Sequence, residues 1–334
     1  MINKSIHLNS PFLLKPCGKN YLWGGSRLND DFAKGIDMFP LAETWECSTH
    51  LDGPSIVASG KDKGNTLADV IHHHPEYLGD NHQKKEELPI LVKFIDARDD
   101  LSVQVHPDDD YAMKYENGSL GKNEFWYVLD AAEDAKLVYG LSRRADAETL
   151  KKSIEDGTVE KYLQRVPIKK DDVFYIKAGT IHAIGGGALI AEVQESSNLT
   201  YRMYDYDRVD AQGEKRKLHV DKALEVADLE GGMPPGQILR VLKFKPGCAT
   251  EFLCRCKYFQ VERMLINTER LREMVSFRTT ILSFQVLLCI NGCGTLFYGN
   301  CEAIHFFKGD CIFIPASSVT IKIHGKAQFL KISC

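Results

Sequence analysis

The stretch LSVQVHPDDD, Leu101 to Asp110, carries residues whose types and spacing suit chemistry. On a strand, Leu101, Val103 and Val105 share one face while Ser102, Gln104 and His106 share the other. A face bearing a carboxamide and an imidazole, stopped at once by Pro107, suits metal ligation better than ordinary burial. Two later segments supply matching groups, Glu124 in GKNEFWYVLD and His182 in AGTIHAIGG. Two imidazoles and one carboxylate, each on its own strand-like segment, form a hydrolytic or Lewis-acid centre with coordination positions left open. The set suits Zn²⁺ and tolerates Mn²⁺, Fe²⁺ or Co²⁺. Gln104 lies two residues before His106, faces the same way, and offers its amide oxygen as a fourth ligand. The run His72, His73 and His74 reads differently. Neighbours on a helix point about 100° apart, so three in a row do not share one ion, and these read as surface residues before the stop at Pro75.

After His182 the run AEVQESSNLTYRMYDYDR gathers acids and bases densely. Most of its charges, among them Glu195, Asp205, Asp207 and Arg208, read as a solvated face. Glu192 and Arg202 stand on either side of SSN, which predicts two strands joined by a turn, both pointing into one pocket. A metal beside a carboxylate and a guanidinium is a kit for moving a proton next to a carbonyl: the cations hold the developing oxyanion and the carboxylate shuttles the proton. Lys122 shares a strand face with Glu124 and suits an anionic group.

The elements that must position these residues read as mainly β. The 334 residues suffice for two or three domains with ample core. With 42 basic and 46 acidic residues the formal net charge is -4, which argues against a nucleic-acid partner but permits a local cationic pocket. The start, MINKSIHLNSPFLLK, has too short an apolar stretch for a signal peptide or membrane span. Ten cysteines with no C-x-x-C pair are expected to be reduced thiols in a cytoplasmic protein. Helices are predicted from Leu67 to His74 with Thr66 as N-cap, over about 108–118 and 146–164, and across HVDKALEVADLEGG, ending at its Gly-Gly. Strands are predicted at PILVKFIDA, and FWYVLDA with AKLVYGL is predicted to form a hairpin.

A weak internal repeat organises the chain. The segment beginning at Asp171 aligns with the one beginning at Gly309, and Glu124–Gly140 aligns with Ser283–Gly299. In this pairing His182 falls on Thr320 and Glu124 on Ser283, so the second copy keeps the strand pattern without the ligands. Two β-barrels or sandwiches follow: a metal-bearing one over 1–233 and a second, without ligands, over 237–334, with Pro234 to Gly236 as linker.

The motifs QVHPDD, GKNEFWYVLDA, AGTIHAIGGG and TYRMYDYDR, with PFLLKPCGKNYLWGGSRL, ETWECSTH and LVKFIDARDDLSVQVHP before them, resemble those of the zinc-dependent mannose-6-phosphate isomerases, type I, in the short bacterial form. The resemblance spans most of residues 10–230. It implies two cupin-like barrels, one degenerate, with a small helical insertion, and interconversion of mannose 6-phosphate and fructose 6-phosphate through a cis-enediol. It further implies one zinc ion per chain, with His106, Glu124, His182 and Gln104 as ligands. Arg202 and Glu192 are implied as catalytic groups, and Lys122, Ser102 and Arg208 as contacts to the phosphosugar. Oligomeric state stays open. The rival readings are a non-catalytic sugar-binding or regulatory cupin and an Fe²⁺ cupin oxygenase.

Overall fold

The structure, a computed structural model, describes residues 9–82, 87–209, 212–232, 235–236, 240–299 and 301–334. The first eight residues of the N-terminal stretch and Pro234 of the expected linker lie outside the described residues. Among the described residues the fold is mainly β, with three antiparallel sheets of ten, six and five strands. Among the described residues no helix is long and apolar enough to cross a membrane.

The strand Ile90–Ala97 shows why the six-stranded sheet is the middle layer. All eight of its residues are buried, which requires cover on both faces. Val92 and Phe94 join a core with Val286, Phe313 and Ile332 of the ten-stranded sheet. Ile95 and Ala97 join a separate core with Leu137 and Ile184 of the five-stranded sheet. Strand Glu124–Ala131 alternates in the same way: Phe125 and Tyr127 enter the first core, Trp126 and Val128 the second. Each such side chain contributes about 1.5–3 kcal/mol when fully buried. The five-stranded sheet turns its other face, with Val103, Val105 and Ala183, onto helices Ala147–Glu155 and Val220–Val226. The predicted shared face is observed for Val103 and Val105 but not for Leu101, which precedes the strand Val103–Val105 and joins the inner core with Ile95 and Ile184.

The ten-stranded sheet curls on itself. Strands Gln285–Tyr298 and Ile321–Ser333 pair along their length, and Leu287, Leu296, Ile323 and Phe329 fill a core of their own. Strands Phe12–Lys15 and Ile56–Val57 join its edge, Phe12 lying opposite Phe313, so the N-terminal strands reach across the boundary expected near residue 235. The capped helices begin where their signals place them: Thr66, Asp108 and Asp146 each accept a hydrogen bond from the backbone N–H three residues on.

Several expectations are corrected. Glu124–Ala131 and Lys136–Leu141 do not form a hairpin. The first pairs with Val173–Ile176 and Ala188–Glu195, the second with His182–Ile184 and Leu163–Pro167. The chain changes sheets between them, which brings Trp126 and Leu137 into the same inner core from two sheets. Glu192 and Arg202 likewise sit on strands of different sheets rather than on one paired ribbon. The helix starting at Val220 stops at Val226, because Asp228 N–H donates to Gly179 O at 2.7 Å and pulls the following residues into extended chain. The repeat holds with a shift of two residues: Ile176 opposes Glu124, whereas its counterpart Ile314 opposes Gln285, so Gln285 rather than Ser283 occupies the place of Glu124.

Candidate metal centre

Three strand ends converge between the five- and six-stranded sheets. His106 follows strand Val103–Val105, Glu124 opens Glu124–Ala131, and His182 opens His182–Ile184. Their ligand atoms all lie within 4.8 Å of one another and all three residues are buried. His106 Nε2 is 3.1 Å from Glu124 Oε1, and His182 Nε2 is 3.7 Å from Glu124 Oε2. Main-chain bonds hold the three segments together: Gly179 N–H donates to His106 O at 2.8 Å and Lys122 N–H to Pro107 O at 3.0 Å. The Trp126 ring packs edge-on to His182 at 5.4 Å.

The electrostatics favour a cation. Burial, reinforced by Lys122, pushes His106 down to about 3, and burial lowers His182, so both imidazoles are neutral near pH 7. Burial opposes ionisation of Glu124, but Lys122 and His106 outweigh it and hold the carboxyl well below its usual range. Lys122 Nζ sits 2.6 Å from Glu124 Oε1 and 3.2 Å from His106 Nε2. Glu124 Oε2 is buried and accepts no hydrogen bond among the described residues. A buried carboxylate oxygen left unpaired between two neutral imidazoles fits a divalent ion, and the mixed N,N,O set suits zinc or its first-row neighbours. Gln104 pairs directly opposite both His182 and Arg202, and its Nε2 lies 3.4 Å from His182 Nε2. A half-turn of the amide brings its oxygen to the same place.

A cavity of about 290 Å³ adjoins the centre. Ser102, Gln104, Lys122, Glu192 and Arg202 line it, and Gln104 and Lys122 connect it to His182 and Glu124, which do not. Glu192 is buried, accepts from Trp126 Nε1 at 2.8 Å and pairs with Lys93 Nζ at 3.0 Å. Burial, and next the Glu124 charge, raise its carboxyl above the ordinary range. Arg202 Nε donates to Ser102 Oγ at 3.2 Å and Nη1 to Lys217 O at 3.0 Å. Among the described residues no carboxylate forms an ion pair with Arg202, and burial together with Arg216 lowers its affinity for its proton.

Arg208 does not line this cavity. It is tied to Asp205 Oδ1 at 2.5 Å and to the carbonyl of Asp100. Arg216 lines it instead, gripped by both oxygens of Asp205 at 2.5 and 2.7 Å. Lys93 and Glu43 also face it and went unnoticed in the sequence. Lys93 had a visible signal, a lone basic residue inside the apolar run PILVKFIDA. Arg216, one of three consecutive basic residues in a loop, had none.

Residues 12–133 match the family model described as phosphomannose isomerase type I, catalytic domain. The chain is 37% identical to the mannose-6-phosphate isomerase ManA of Bacillus subtilis over 319 residues, covering 95% of this chain and 97% of that protein. It is 35% identical to the mannose-6-phosphate isomerase of Streptococcus mutans over 320 residues, covering 96% and 97%. A crystal structure of the mannose 6-phosphate isomerase from Bacillus subtilis superposes with a TM-score of 0.89 at 36% identity, covering 98% of this chain and all of that one.

Proposed function

The chain belongs to the mannose-6-phosphate isomerase family, and from that premise we propose that its cavity interconverts mannose 6-phosphate and fructose 6-phosphate, an aldose–ketose isomerisation through a cis-enediol. The observation that carries the site assignment is the convergence of His106, Glu124 and His182 within 4.8 Å, beside Gln104 and Lys122, which line a cavity together with Glu192 and Arg202. His106, Glu124 and His182, with Gln104 as a fourth donor, would hold zinc, which would supply Lewis acidity for a carbonyl–hydroxyl substrate.

The chain's own residues divide the remaining work. Glu192, raised by burial, takes the proton from C2 and returns it to C1; Lys93 and Trp126 hold its two oxygens in place. Arg202, lacking a carboxylate partner, donates to the oxyanion that develops as the enediol forms. Lys122 adds positive charge at the same end. The phosphate goes to the cationic side of the cavity, to Arg216 and the Ser102 hydroxyl. Arg208 acts through Asp205, which fixes Arg216. The reduced cysteines and a phosphorylated substrate fit a cytoplasmic setting.

The Fe²⁺ oxygenase alternative predicts a different dependence. Purified protein given mannose 6-phosphate under anaerobic conditions is expected to form fructose 6-phosphate at an undiminished rate. A requirement for oxygen, or no conversion of either sugar phosphate, contradicts the isomerase assignment.

A further inference from the structure

The three residues before Glu124 are each fixed through their backbone N–H, two to the segment after His106 and one to the strand Ala188–Glu195. Gly121 N–H donates to Asp109 Oδ1 at 3.0 Å, Lys122 N–H to Pro107 O at 3.0 Å, and Asn123 N–H to Glu195 Oε2 at 2.8 Å. The chain runs so close to the Asp108–Asp109 backbone that a Cβ on Gly121 would lie 2.4 Å from Asp109 N.

Alternation leading into the strand sends Lys122 and Glu124 together toward His106 and Asn123 the opposite way, toward Tyr175 and Glu195. There the Asn123 side chain is buried, with one N–H and both acceptor positions of its carboxamide engaged. Its Nδ2 donates to Glu195 Oε2 at 2.7 Å, while its Oδ1 accepts from Tyr175 Oη at 3.1 Å and Ala178 N–H at 3.0 Å. Ala178 belongs to the Gly turn that delivers His182, and its neighbour Gly179 holds His106 O. One carboxamide therefore spans the segments bearing Glu124 and His182, next to the bond that secures His106. Glu195 in turn neighbours Asp109, whose Oδ2 accepts from Tyr258 Oη at 2.8 Å. Tyr258 lies in the turn between strands Cys248–Arg255 and Gln260–Asn267 of the ten-stranded sheet.

We infer that Asn123 is the positioning residue of the metal centre: it sets Lys122 and Glu124 at their distance from His106 and His182, and takes its own position from Glu195. Through Asp109 and Tyr258 the C-terminal sheet, which carries none of the three ligands, contributes to the geometry of the site. The chemistry of the pair specifies what Glu195 must be. Oε2 accepts two hydrogen bonds from Asn123 and the Glu195 carboxyl also neighbours the Asp109 carboxylate, an arrangement satisfied by one proton held between the two acids. Glutamine at position 195 reproduces it, with a carbonyl toward Asn123 and an N–H toward Asp109; alanine does not.

This inference rests on the metal-site reading above, and its test separates the two. Apo protein is titrated with Co²⁺ alone, against a competing chelator, and the visible d–d spectrum of the bound ion is recorded. Asn123→Ala and Glu195→Ala are expected to weaken Co²⁺ binding about 10–100-fold and to alter the spectrum, the usual scale for groups that orient ligands. Glu195→Gln is expected to keep the wild-type affinity and spectrum. Wild-type affinity and spectrum in Asn123→Ala overturn the inference, as does equal damage in Glu195→Gln and Glu195→Ala; the latter comparison decides alone where Asn123→Ala does not fold. Wild-type protein that bound no Co²⁺ would instead remove the metal reading itself and the inference with it.

Discussion

His182 donates its Nδ1 proton to the carbonyl of Thr180 at 2.8 Å, and that bond leaves Nε2 unprotonated and facing Glu124, 3.7 Å away. A carbonyl only accepts, so the tautomer is determined by its partner, and the free lone pair points where a metal ligand's must. His182→Ala is expected to lose bound metal while retaining its fold, since the strand it opens is held by Ala183 and Ile184 in two cores. Elemental analysis of the purified variant checks this; retained stoichiometric metal removes His182 from the ligand set.

Arg202 donates to Ser102 and to the Lys217 carbonyl but forms no ion pair with a carboxylate among the described residues, so its charge is available to substrate. Loss of one oxyanion-stabilising donor costs about 10²–10³ in rate. Arg202→Ala is therefore expected to keep its metal and lose kcat by that factor. Near-normal turnover refutes the role.

Arg216 differs from Arg202 in being clamped by Asp205 and in facing the cavity from a loop. Steady-state kinetics of Arg216→Ala are expected to show a raised KM for the phosphorylated sugar with kcat less affected. Arg208→Ala, acting through Asp205, is expected to show a smaller change in the same direction. A larger effect at Arg208 than at Arg216 would reverse their assignment.

How much of this was legible follows from the range of each interaction. The clustering of His106 with Glu124 and His182 was signalled by Gln104 and His106, which break an otherwise apolar strand pattern, with two-residue alternation saying which way they face. The mainly β architecture was readable from the many short strand-like runs. Sheet membership was not: the short Ala132–Ala135 connection looks like a hairpin turn, and only the distant partners of the two strands, Ala188–Glu195 for the first and His182–Ile184 for the second, say otherwise. Asn123 and Arg216 were invisible for a related reason. Their partners lie 72 and 11 positions away, so no local pattern marks Asn123 as anything but a loop polar residue or Arg216 as anything but part of a basic run.

Glu195 gives a stability prediction with a definite sign. Burial is the largest cause raising its carboxyl to about 7 from an ordinary value of 4.5, and the Asp109 charge adds to the rise against the hydrogen bonds from Asn123. Folding thus favours the protonated form. Its contribution is complete below 4.5 and is lost as pH rises toward about 7. Denaturant unfolding at a series of pH values is expected to show wild type losing more stability across this window than Glu195→Gln, which cannot titrate there. Parallel curves contradict the shared-proton arrangement.

The Lys34–Glu46 pair is buried at both ends, 5% and 1% exposed, with Nζ 2.6 Å from Glu46 Oε1 and 2.5 Å from the Gly309 carbonyl that precedes strand Cys311–Ile314. It joins the six-stranded sheet to the ten-stranded one. Lys34→Met leaves Glu46 buried without its counter-charge and is expected to cost about 3–5 kcal/mol. Combining it with Glu46→Leu should recover most of that loss, because no buried charge then remains. A single variant as stable as wild type would show that the pair contributes nothing to the packing of the two sheets.

Metal reconstitution of the isomerase reaction bears most directly on the whole account. Protein stripped with a chelator is titrated with Zn²⁺ while conversion of mannose 6-phosphate to fructose 6-phosphate is followed. The rate is expected to be negligible in the stripped protein and to rise linearly to a plateau at one ion per chain, with no recovery in His106→Ala or His182→Ala. Full activity in the stripped protein, or a plateau unaffected by loss of either imidazole, would contradict it.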